Sequence, residues 1–598
     1  YSLSGLGILS IFRLSVPFGF RQVIWFSICS LLLVMGMRFP AIISLLRRYK
    51  YIWLTTGILA TALTFFFGIY PGGEGPHLWL GCCGVYFQPS EPLKLLFIIY
   101  LAAFFADNWA LRKNLSILIM PALIMVGAAF LVLFAQRDLG TASIFLVIFT
   151  GFIFIVIGKK RIVGILFLLI SIAAYFGFHE FSVIKTRISG WLNPWADPMG
   201  GSYQIIQSLQ AIASGHILGT GPGMGSPGLV PVAVSDFIYS AIAEELGLIG
   251  SFFILSMFAY LAYRGFIISI FNPNRFQKLL AYGITIYFSI QSILIIAGNI
   301  RLLPLTGVTL PFLSYGGSSL LTAFIAILFL MIISQNPAAQ SISRTETKPY
   351  LLAYAAILVG FFSIATVNVN WSVVNSEHLL SRDDNFRKSI NDRYVPRGDL
   401  LDRNNQPLLI TDGVRGSYER LLLEPSLSTT LGYNHPSLGQ SGLEASMDPY
   451  LRGMAGYPSS TVILNKLLYA RPPDGLNIRS TIDMNKQKGI ADLLSDQKGA
   501  AVILNAQTGE ILSLWSSPGF RLAQLDEEWD LLRNSPDAPL MNRVSQGQYE
   551  IGSLAGLFSY TYLISQPARI SEADYIGGGY CANPIENLER NNLLKSMM

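Results

Sequence analysis

The sequence has little charge and very little cysteine. Only 13% of its 598 residues are charged, and the four cysteines include one adjacent pair. An adjacent pair cannot chelate zinc as C-x-x-C does, so the sequence provides neither a disulfide framework nor a plausible zinc spacing. The net charge of +6 is small and lies largely in short loops. It suits membrane orientation better than nucleic-acid binding, and no nucleic-acid partner is predicted.

Long apolar runs are missing after about residue 370, where charged residues become frequent. The whole chain is nevertheless 52% hydrophobic with a mean hydropathy of +0.48, so much of it must lie in a bilayer. Predicted spans lie at about 22–37, 51–69, 93–106, 115–135, 139–157, 162–178, 237–263, 279–298, 312–334 and 350–370. Residues 1–14 are predicted to end one more span, because the chain begins without Met inside an apolar run.

Lysine and arginine are concentrated in alternate loops between these spans. The loop at about 71–89 contains neither residue. By the alternation, the long loop before Asp236 lies on the same side. Because basic loops mark the cytoplasmic side, both loops are predicted to be extracytoplasmic. Everything after residue 370 is predicted to be extracytoplasmic as well.

The longest polar interruption of the apolar half runs from about Arg187 to Gly247. Within it, Asp236 precedes a predicted apolar helix. A carboxylate held by a rigid helix end and facing water suits general-base chemistry. An ordinary N-terminal helix cap explains the same position equally well, and both interpretations stay open.

Three further polar stretches lie where spans should begin or end. Glu91 and Lys94 share a helix face at the spacing i, i+3. An ion pair at membrane depth is usually functional or structurally locked, although Lys94 can instead snorkel with Glu91 neutralising it. Arg137 and Asp138 form a second charged entry. A glycine-rich stretch over 307–319 allows close approach of the backbone to a helix or a ligand.

Five stretches resemble, in order, the family of shape, elongation, division and sporulation proteins that includes FtsW and RodA. They are W-L-G-C-C-G-V-Y-F-Q-P-S-E-P-L-K-L from Trp79, Q-R-D-L-G-T-A from Gln136, G-S-Y-Q-I-I-Q-S-L from Gly201, S-D-F-I-Y-S-A-I-A-E-E-L-G from Ser235 and P-F-L-S-Y-G-G-S-S from Pro311. The resemblance implies ten spans and polymerisation of lipid II into glycan strands at the outer face of the bacterial cytoplasmic membrane. It places Asp236 at the family's essential loop aspartate. Four polar residues would line the cavity beneath it: Glu91, Lys94, Asp138 and Glu245. Arg137 replaces the family's usual proline.

The implied reaction joins a sugar hydroxyl to a sugar that leaves its lipid pyrophosphate. Asp236 would deprotonate that hydroxyl or hold a divalent cation, Mg²⁺ or Mn²⁺. Departure of the pyrophosphate needs positive charge from the cation and from Arg137, Lys94 or Arg187. The expected partners are lipid II, the growing glycan strand, membrane lipids and other division or elongation proteins. A lipid II flippase with the same charged cavity and a non-catalytic cell-wall scaffold stay open as alternatives.

The second half resembles class B penicillin-binding proteins at R-G-D-L-L-D-R-N-N-Q-P-L from Arg397, R-S-T-I-D-M-N-K-Q from Arg479 and A-V-I-L-N-A-Q-T-G-E-I-L from Ala501. Two β-rich runs over 499–515 predict a hairpin with its turn near 507–509. A transpeptidase of this class needs S-x-x-K, but Ser553 stands at the nucleophile position and Gly556 where the lysine belongs. The S-x-N and K-T-G elements do not appear before Met598. We therefore predict a fused regulatory module without transpeptidase activity.

The predicted fold is a multi-pass α-helical membrane protein of about ten spans, the first truncated, plus one further span and an extracytoplasmic α/β part. The predicted domains are a glycosyltransferase membrane domain (1–335), a cytoplasmic linker (336–349), a single transmembrane helix (350–370), a penicillin-binding-protein-like pedestal (371–490) and a partial, degenerate transpeptidase-like domain (491–598).

Overall fold

The structure is a computed structural model, and the part of the chain that it describes is discontinuous. It describes residues 1–70, 77–82, 85–113, 115–158, 164, 182–198, 200–223, 225–335, 344–380, 382, 385, 387, 395–414, 418–435, 438–469, 473–550, 552 and 556.

The chain divides into two compact units. The first comprises Tyr1–Asn391 with Tyr457–Pro473, and the second comprises Asp392–Gly456 with Asp474–Met598. The described elements of the first unit up to residue 391 are, in order, α1 (Ser2–Leu14), α2 (Val16–Gly36), α3 (Ile42–Arg48), α4 (Lys50–Ala62), α5 (Thr64–Phe67), β1 (Leu80–Cys82), β2 (Val85–Phe87), α6 (Ser90–Asp107), α7 (Leu115–Ala135), α8 (Leu139–Ile157), α9 (Ser182–Leu192), α10 (Tyr203–Gly215), α11 (Ile238–Phe271), α12 (Arg275–Asn299), α13 (Gly317–Ser334), α14 (Arg344–Val369) and α15 (Ser376–Leu380).

Eight helices in the described residues are long and apolar enough to cross a membrane. Helix α6 has 18 residues, and its centre is buried in the hydrophobic core that it forms with other helices of this unit. The chain is therefore a multi-pass helical membrane protein, as its composition predicts. The predicted span at 162–178 lies outside the described residues. Helix α11 continues to Phe271, beyond the predicted end at 263, and α14 begins at Arg344, inside the predicted linker.

Helix α11 is broken at Gly247, where φ is 64° and ψ is −157°. The chain just before it in sequence satisfies the backbone groups on either side of the break. Thr220 N donates to Glu244 O at 2.9 Å, and Leu248 N donates to His216 O at 3.0 Å. A side chain at Gly247 would place Cβ 2.3 Å from Gly219 N. Only glycine fits both this conformation and this approach, so the break is fixed by the sequence.

The second unit contains short strands and short helices. Its strands include β3 (Leu400–Leu401), β4 (Pro407–Asp412), β5 (Glu419–Leu422), β6 (Ile478–Arg479), β7 (Gly499–Leu504) and β8 (Ile511–Ser517). The larger sheet has four strands in the order β5–β4–β3–β6, and a separate antiparallel hairpin pairs β7 with β8. The last two confirm the predicted hairpin, and its turn contains Gly509 at a φ of 75°.

A buried ion cluster holds the start of the R-G-D-L-L-D-R-N-N-Q-P-L motif in this second unit. Arg397, which opens the motif, lies 2.8 Å from both Glu444 and Asp448. Arg420 pairs with Glu444 as well. Because each buried charge has an opposite partner, the motif serves the interior of the unit.

Candidate active site around Asp236

Asp236 lies just before α11 and does not cap it. The helix begins at Ile238, and its N-cap residue, Phe237, makes no side-chain cap bond. Two bonds from the glycine-rich segment after α12 hold the chain beside the acid: Ser314 Oγ donates to Ser235 O at 2.5 Å, and Tyr315 N donates to Val234 O at 2.8 Å. The acid is therefore fixed by tertiary contacts, which leaves its carboxylate for another role.

The Asp236 carboxylate faces a cavity of ≈ 120 Å³. Residues from α9, α10, α12 and the loop after α12 surround it. The lining comprises Thr186, Arg187, Gly190, Gly201, Gln204, Ile205, Asp236, Phe237, Ile295, Asn299, Leu305, Thr306, Gly307 and Val308. Gln204 and Gly307 are exposed, whereas Ile205, Phe237, Ile295 and Asn299 are buried. The site thus has an open polar mouth and a largely apolar floor.

Arg187 of α9 is the one cation among the described lining residues of this cavity. Its Nη1 donates to Leu305 O and Thr306 O, at 3.4 Å each. Gly307 follows with a φ of 69°, and a Cβ there would lie 3.6 Å from Arg187 Nη2 and 3.7 Å from Asp236 Oδ2. The glycine therefore leaves open the space between the guanidinium and the carboxylate.

Burial raises the pKa of the Asp236 carboxyl above its ordinary value. A hydrogen bond with Ser235 and the positive charge of Arg187 act in the opposite direction but do not cancel the effect of burial. A carboxylate with a raised pKa is a stronger base than one in water. The site can therefore accept a proton from a hydroxyl placed in the cavity.

Two amide side chains of the lining were missed by the sequence analysis. Asn299 ends α12 and is 1% exposed, and its Nδ2 has no hydrogen-bond partner among the described residues. Gln204 lies near the start of α10, at the mouth. An unpaired buried amide donor facing a cavity can bind an oxygen of a ligand. The signal available in sequence was the polar end of an otherwise apolar helix.

Glu91 and Lys94 form a buried ion pair within α6. Lys94 Nζ donates to Glu91 Oε1 at 2.8 Å and to Gln291 Oε1 at 3.2 Å. Lys94 is 0% exposed, so it does not snorkel. Gln291 Nε2 donates in turn to Thr309 O at 2.7 Å. The pair is thus linked to the segment that continues from the cavity residues 305–308, but it does not itself line the cavity.

Asp138 and Arg137 have separate positions. Asp138 caps α8 by accepting from Thr141 N at 3.1 Å, and its second oxygen accepts from Ser90 Oγ at 3.2 Å. Ser90, the first residue of α6, thereby links the start of α6 to the N-cap residue of α8. Arg137 is exposed with a φ of 61°. Neither charged residue is among the lining residues of the Asp236 cavity.

Glu245 lies beyond the cavity, in a contact with the first helix. Arg13 Nε donates to Glu245 Oε1 at 3.1 Å, and Arg13 Nη2 donates to Gly223 O and Gly225 O at 3.0 Å each. The preceding residue, Glu244, is buried on another side of α11. In the second unit, Gly556 is buried and Ser553 lies outside the described residues.

The cavity provides one carboxylate for a metal ion. Within the described part of the chain, no group of three or more His, Cys, Asp or Glu side chains is placed to hold a metal. Mg²⁺ is commonly bound by one or two carboxylates together with substrate phosphates. Asp236 therefore fits a divalent cation that the substrate helps to bind, and does not fit a site built from protein ligands alone.

The fold and the site define a class: multi-pass helical membrane proteins in which a half-buried acid and an arginine line one cavity. Sequence comparison then identifies the family. The profile of the FtsW, RodA and SpoVE family, described as cell cycle proteins, matches residues 1–338. The chain belongs to this family, as its five ordered motifs predicted.

Individual relatives agree with this assignment. The peptidoglycan glycosyltransferase RodA of Mycobacterium tuberculosis (strain ATCC 25618 / H37Rv) is 32% identical over 386 residues, which cover 59% of this chain and 80% of that protein. Stage V sporulation protein E of Bacillus subtilis (strain 168) is 34% identical over 318 residues, covering 51% and 86%.

A solved structure of penicillin-binding protein A from M. tuberculosis, an imipenem acyl-enzyme complex, covers 30% of this chain and 44% of its own. It is 25% identical with a TM-score of 0.27. A similarity of this size carries no functional argument. The penicillin-binding-like character of the second half therefore rests on its motifs.

Replacing Asp236 with asparagine should stabilise the protein at neutral pH. With a folded-state pKa above the unfolded one, the stability linked to this group is present at low pH and is lost as pH rises through the raised pKa. Asp236→Asn removes the cost of a buried carboxylate. We expect a melting temperature a few degrees higher at pH 7.5, since about 1 kcal/mol corresponds to roughly 2–4 °C in domains of 150–250 residues.

Asp107→Asn is the matched control for thermal unfolding in detergent. Asp107 accepts from Arg47 at 2.7 Å and pairs with Lys50, so its loss should lower the melting temperature. A melting temperature of Asp236→Asn at or below that of the wild type at pH 7.5 would contradict the proposed desolvation of Asp236.

Proposed function

We propose that the chain is a peptidoglycan glycosyltransferase that polymerises lipid II into glycan strands at the outer face of the cytoplasmic membrane. The observation that carries the proposal is the half-buried carboxylate of Asp236, which shares a cavity with Arg187. Family membership and the named activity of the mycobacterial RodA relative support it. The basic loops on the opposite side of the predicted spans support the outer location.

In this reaction Asp236 acts as the general base. It removes the proton from the acceptor sugar hydroxyl as that oxygen attacks the anomeric carbon of the donor, and the bond to the lipid pyrophosphate breaks. General-base assistance typically contributes about 10²–10⁴ in rate. Because its pKa is raised, the Asp236 carboxylate is a stronger base than an aspartate in water, which favours this transfer.

Arg187 is the lining cation best placed to stabilise the departing pyrophosphate. Lys94 is already bound by Glu91 and Gln291, and Arg137 is not a lining residue of the cavity. As the alternative to the base role, Asp236 would hold a divalent cation, Mg²⁺ or Mn²⁺, and that cation would supply further positive charge. Asn299 would orient the substrate through its unpaired amide donor.

The second half is proposed to be a regulatory penicillin-binding-like module without transpeptidase activity, located outside the cytoplasm. Gly556 at the position of the S-x-x-K lysine leaves Ser553 without the group that would activate it. Other elongation or division proteins are expected as partners of the whole chain.

Asp236→Ala should abolish glycan polymerisation. Purified protein in detergent, incubated with lipid II, should form polymer ladders, whereas the variant should lose at least about 10²-fold in rate because its base is gone. Detergent also separates the alternatives, because a flippase or a scaffold would leave wild-type samples as monomer. Polymer formation by Asp236→Ala at near wild-type rate would remove Asp236 from its role. The melting temperature of the variant serves as the folding control.

Arg187→Gln should move the acid limb of the pH profile of kcat/KM to higher pH. The positive charge of Arg187 lowers the pKa of Asp236, so its removal raises that pKa further, and ionised base appears only at higher pH. Lys185→Gln, an exposed neighbour on α9, is the matched control and should leave the limb in place. An unshifted limb in Arg187→Gln would show that its charge does not act on the catalytic base.

The 598-residue chain should not be acylated by a fluorescent penicillin. Ser553 has Gly556 three residues on where the activating lysine belongs, so no acyl-enzyme should accumulate. A transpeptidase with an intact S-x-x-K motif, labelled in parallel, is the positive control. Covalent labelling that Ser553→Ala removes would contradict the prediction.

A further inference from the structure

Arg387 is buried against the helices that carry the candidate site, although it lies beyond the family-matched region. It is 4% exposed, and it belongs to the same compact unit as the membrane helices. Its Nη1 donates to Gln207 Oε1 at 2.8 Å, and its Nη2 donates to the backbone Gln207 O at 3.3 Å. On its other edge, Nε and Nη2 donate to the two carboxylate oxygens of Glu244, at 3.1 and 3.3 Å. One guanidinium thus joins α10 to α11.

Helix α10 contacts both this arginine and the cavity. Gln204 and Ile205, which line the cavity, lie within one turn of Gln207 on the same helix. Ile205 also packs in a cluster with Leu379 of α15, the helix that follows α14. A shift of α10 toward or away from α11 would therefore change the width of the cavity opposite Asp236.

Glu244 extends the connection to the loop before the acid. Its Oε1 also accepts from Ser226 N at 2.7 Å. Trp371, two residues after the end of α14, donates from Nε1 to Ile300 O at 2.9 Å. Ile300 directly follows the cavity residue Asn299. Contacts from Trp371, Leu379 and Arg387 therefore reach α10, α11 and the residue that follows α12.

We propose that Arg387 is a positioning residue for the site, acting through α10 and Glu244. Together with Trp371 and Leu379 it forms a brace that sets the placement of Gln204 and Ile205 relative to Asp236. The membrane domain of residues 1–338 is then completed by chain that follows it. The catalytic consequence rests on the proposed function, whereas the mechanical one does not.

A merely structural ion pair is the competing explanation. Removing one partner of a buried pair leaves an uncompensated charge and destabilises the protein, whatever the catalytic role of the pair. Arg387→Met combined with Glu244→Gln avoids this, because both charges go and Gln keeps an oxygen for Ser226 N. The double variant lacks only the charge-assisted bonds that fix α10 to α11.

In the double variant of the whole 598-residue chain we expect a melting temperature within a few degrees of wild type. We also expect amide hydrogen exchange at least tenfold faster in 203–215 with 275–299 unchanged, and lipid II turnover at least tenfold slower. Exchange of helical amides reports local opening, so it tests the brace without any substrate. Arg264→Met, an exposed arginine of α11, is the matched control and should change neither readout.

Either readout at the wild-type level in the double variant overturns the proposal. Unchanged exchange would show that Arg387 does not hold α10, and unchanged turnover with faster exchange would show that the hold does not matter for catalysis. If the double variant does not fold, Arg387→Lys bears the same prediction, because it keeps a charge opposite Glu244 but cannot reach Gln207 with a second nitrogen. Absence of polymer from the wild type would count against the proposed function and leave the exchange result standing.

Discussion

The site depends on a conflict between burial and charge at one carboxylate. Withdrawing Asp236 from water raises its pKa, and the charge of Arg187 opposes that change without cancelling it. Burial raises the pKa of Asp236, and the positive charge of Arg187 and the hydrogen bond with Ser235 lower it, so its strength as a base depends on both effects. Gly307 lies beside both groups, since a Cβ there would be 3.6 Å from Arg187 Nη2 and 3.7 Å from Asp236 Oδ2. The rest of the unit has to hold this unfavourable arrangement in place.

That support comes from polar groups satisfied inside an apolar helical core. In a bilayer, free backbone groups cannot turn to water, so irregular chain is tolerated where protein groups take up its hydrogen bonds. The break of α11 at Gly247 meets this requirement through the chain at 216–221, and the segment after α12 meets it through Gln291 and Ser314. The Glu91–Lys94 pair acts at one remove, because Lys94 orients the Gln291 amide that holds Thr309 O. Glu91 and Lys94 therefore support the segment beside the site without lining the cavity.

The features predictable from sequence were those set by local spacing. The i, i+3 pairing of Glu91 with Lys94 and the hairpin over 499–515 follow from periodicity, and both are present. The spans followed from composition, with helix ends misplaced where charged or glycine residues are tolerated within a helix. Asn299 could not be predicted as a lining residue, because only tertiary packing brings the end of α12 to α9 and α10. Adjacent residues point about 100° apart on a helix of 3.6 residues per turn, so Glu244 and Glu245 must have different surroundings. Which groups each of them meets depends on tertiary packing, and the sequence alone does not give it.

Covalent attachment distinguishes this brace from the same contacts made by a separate protein. Arg387, Trp371 and Leu379 belong to the same compact unit as the cavity, so their contacts form without an encounter between two proteins. An intramolecular contact through a short connection acts at an effective concentration of about millimolar. The partial burial of the Asp236 carboxylate destabilises this part of the fold. A permanently attached brace offsets this by holding Gln204 and Ile205 of α10 in place opposite Asp236. On this view the chain after residue 338 contributes first to the architecture of the site, and any regulation by the second unit acts on a site that is already assembled.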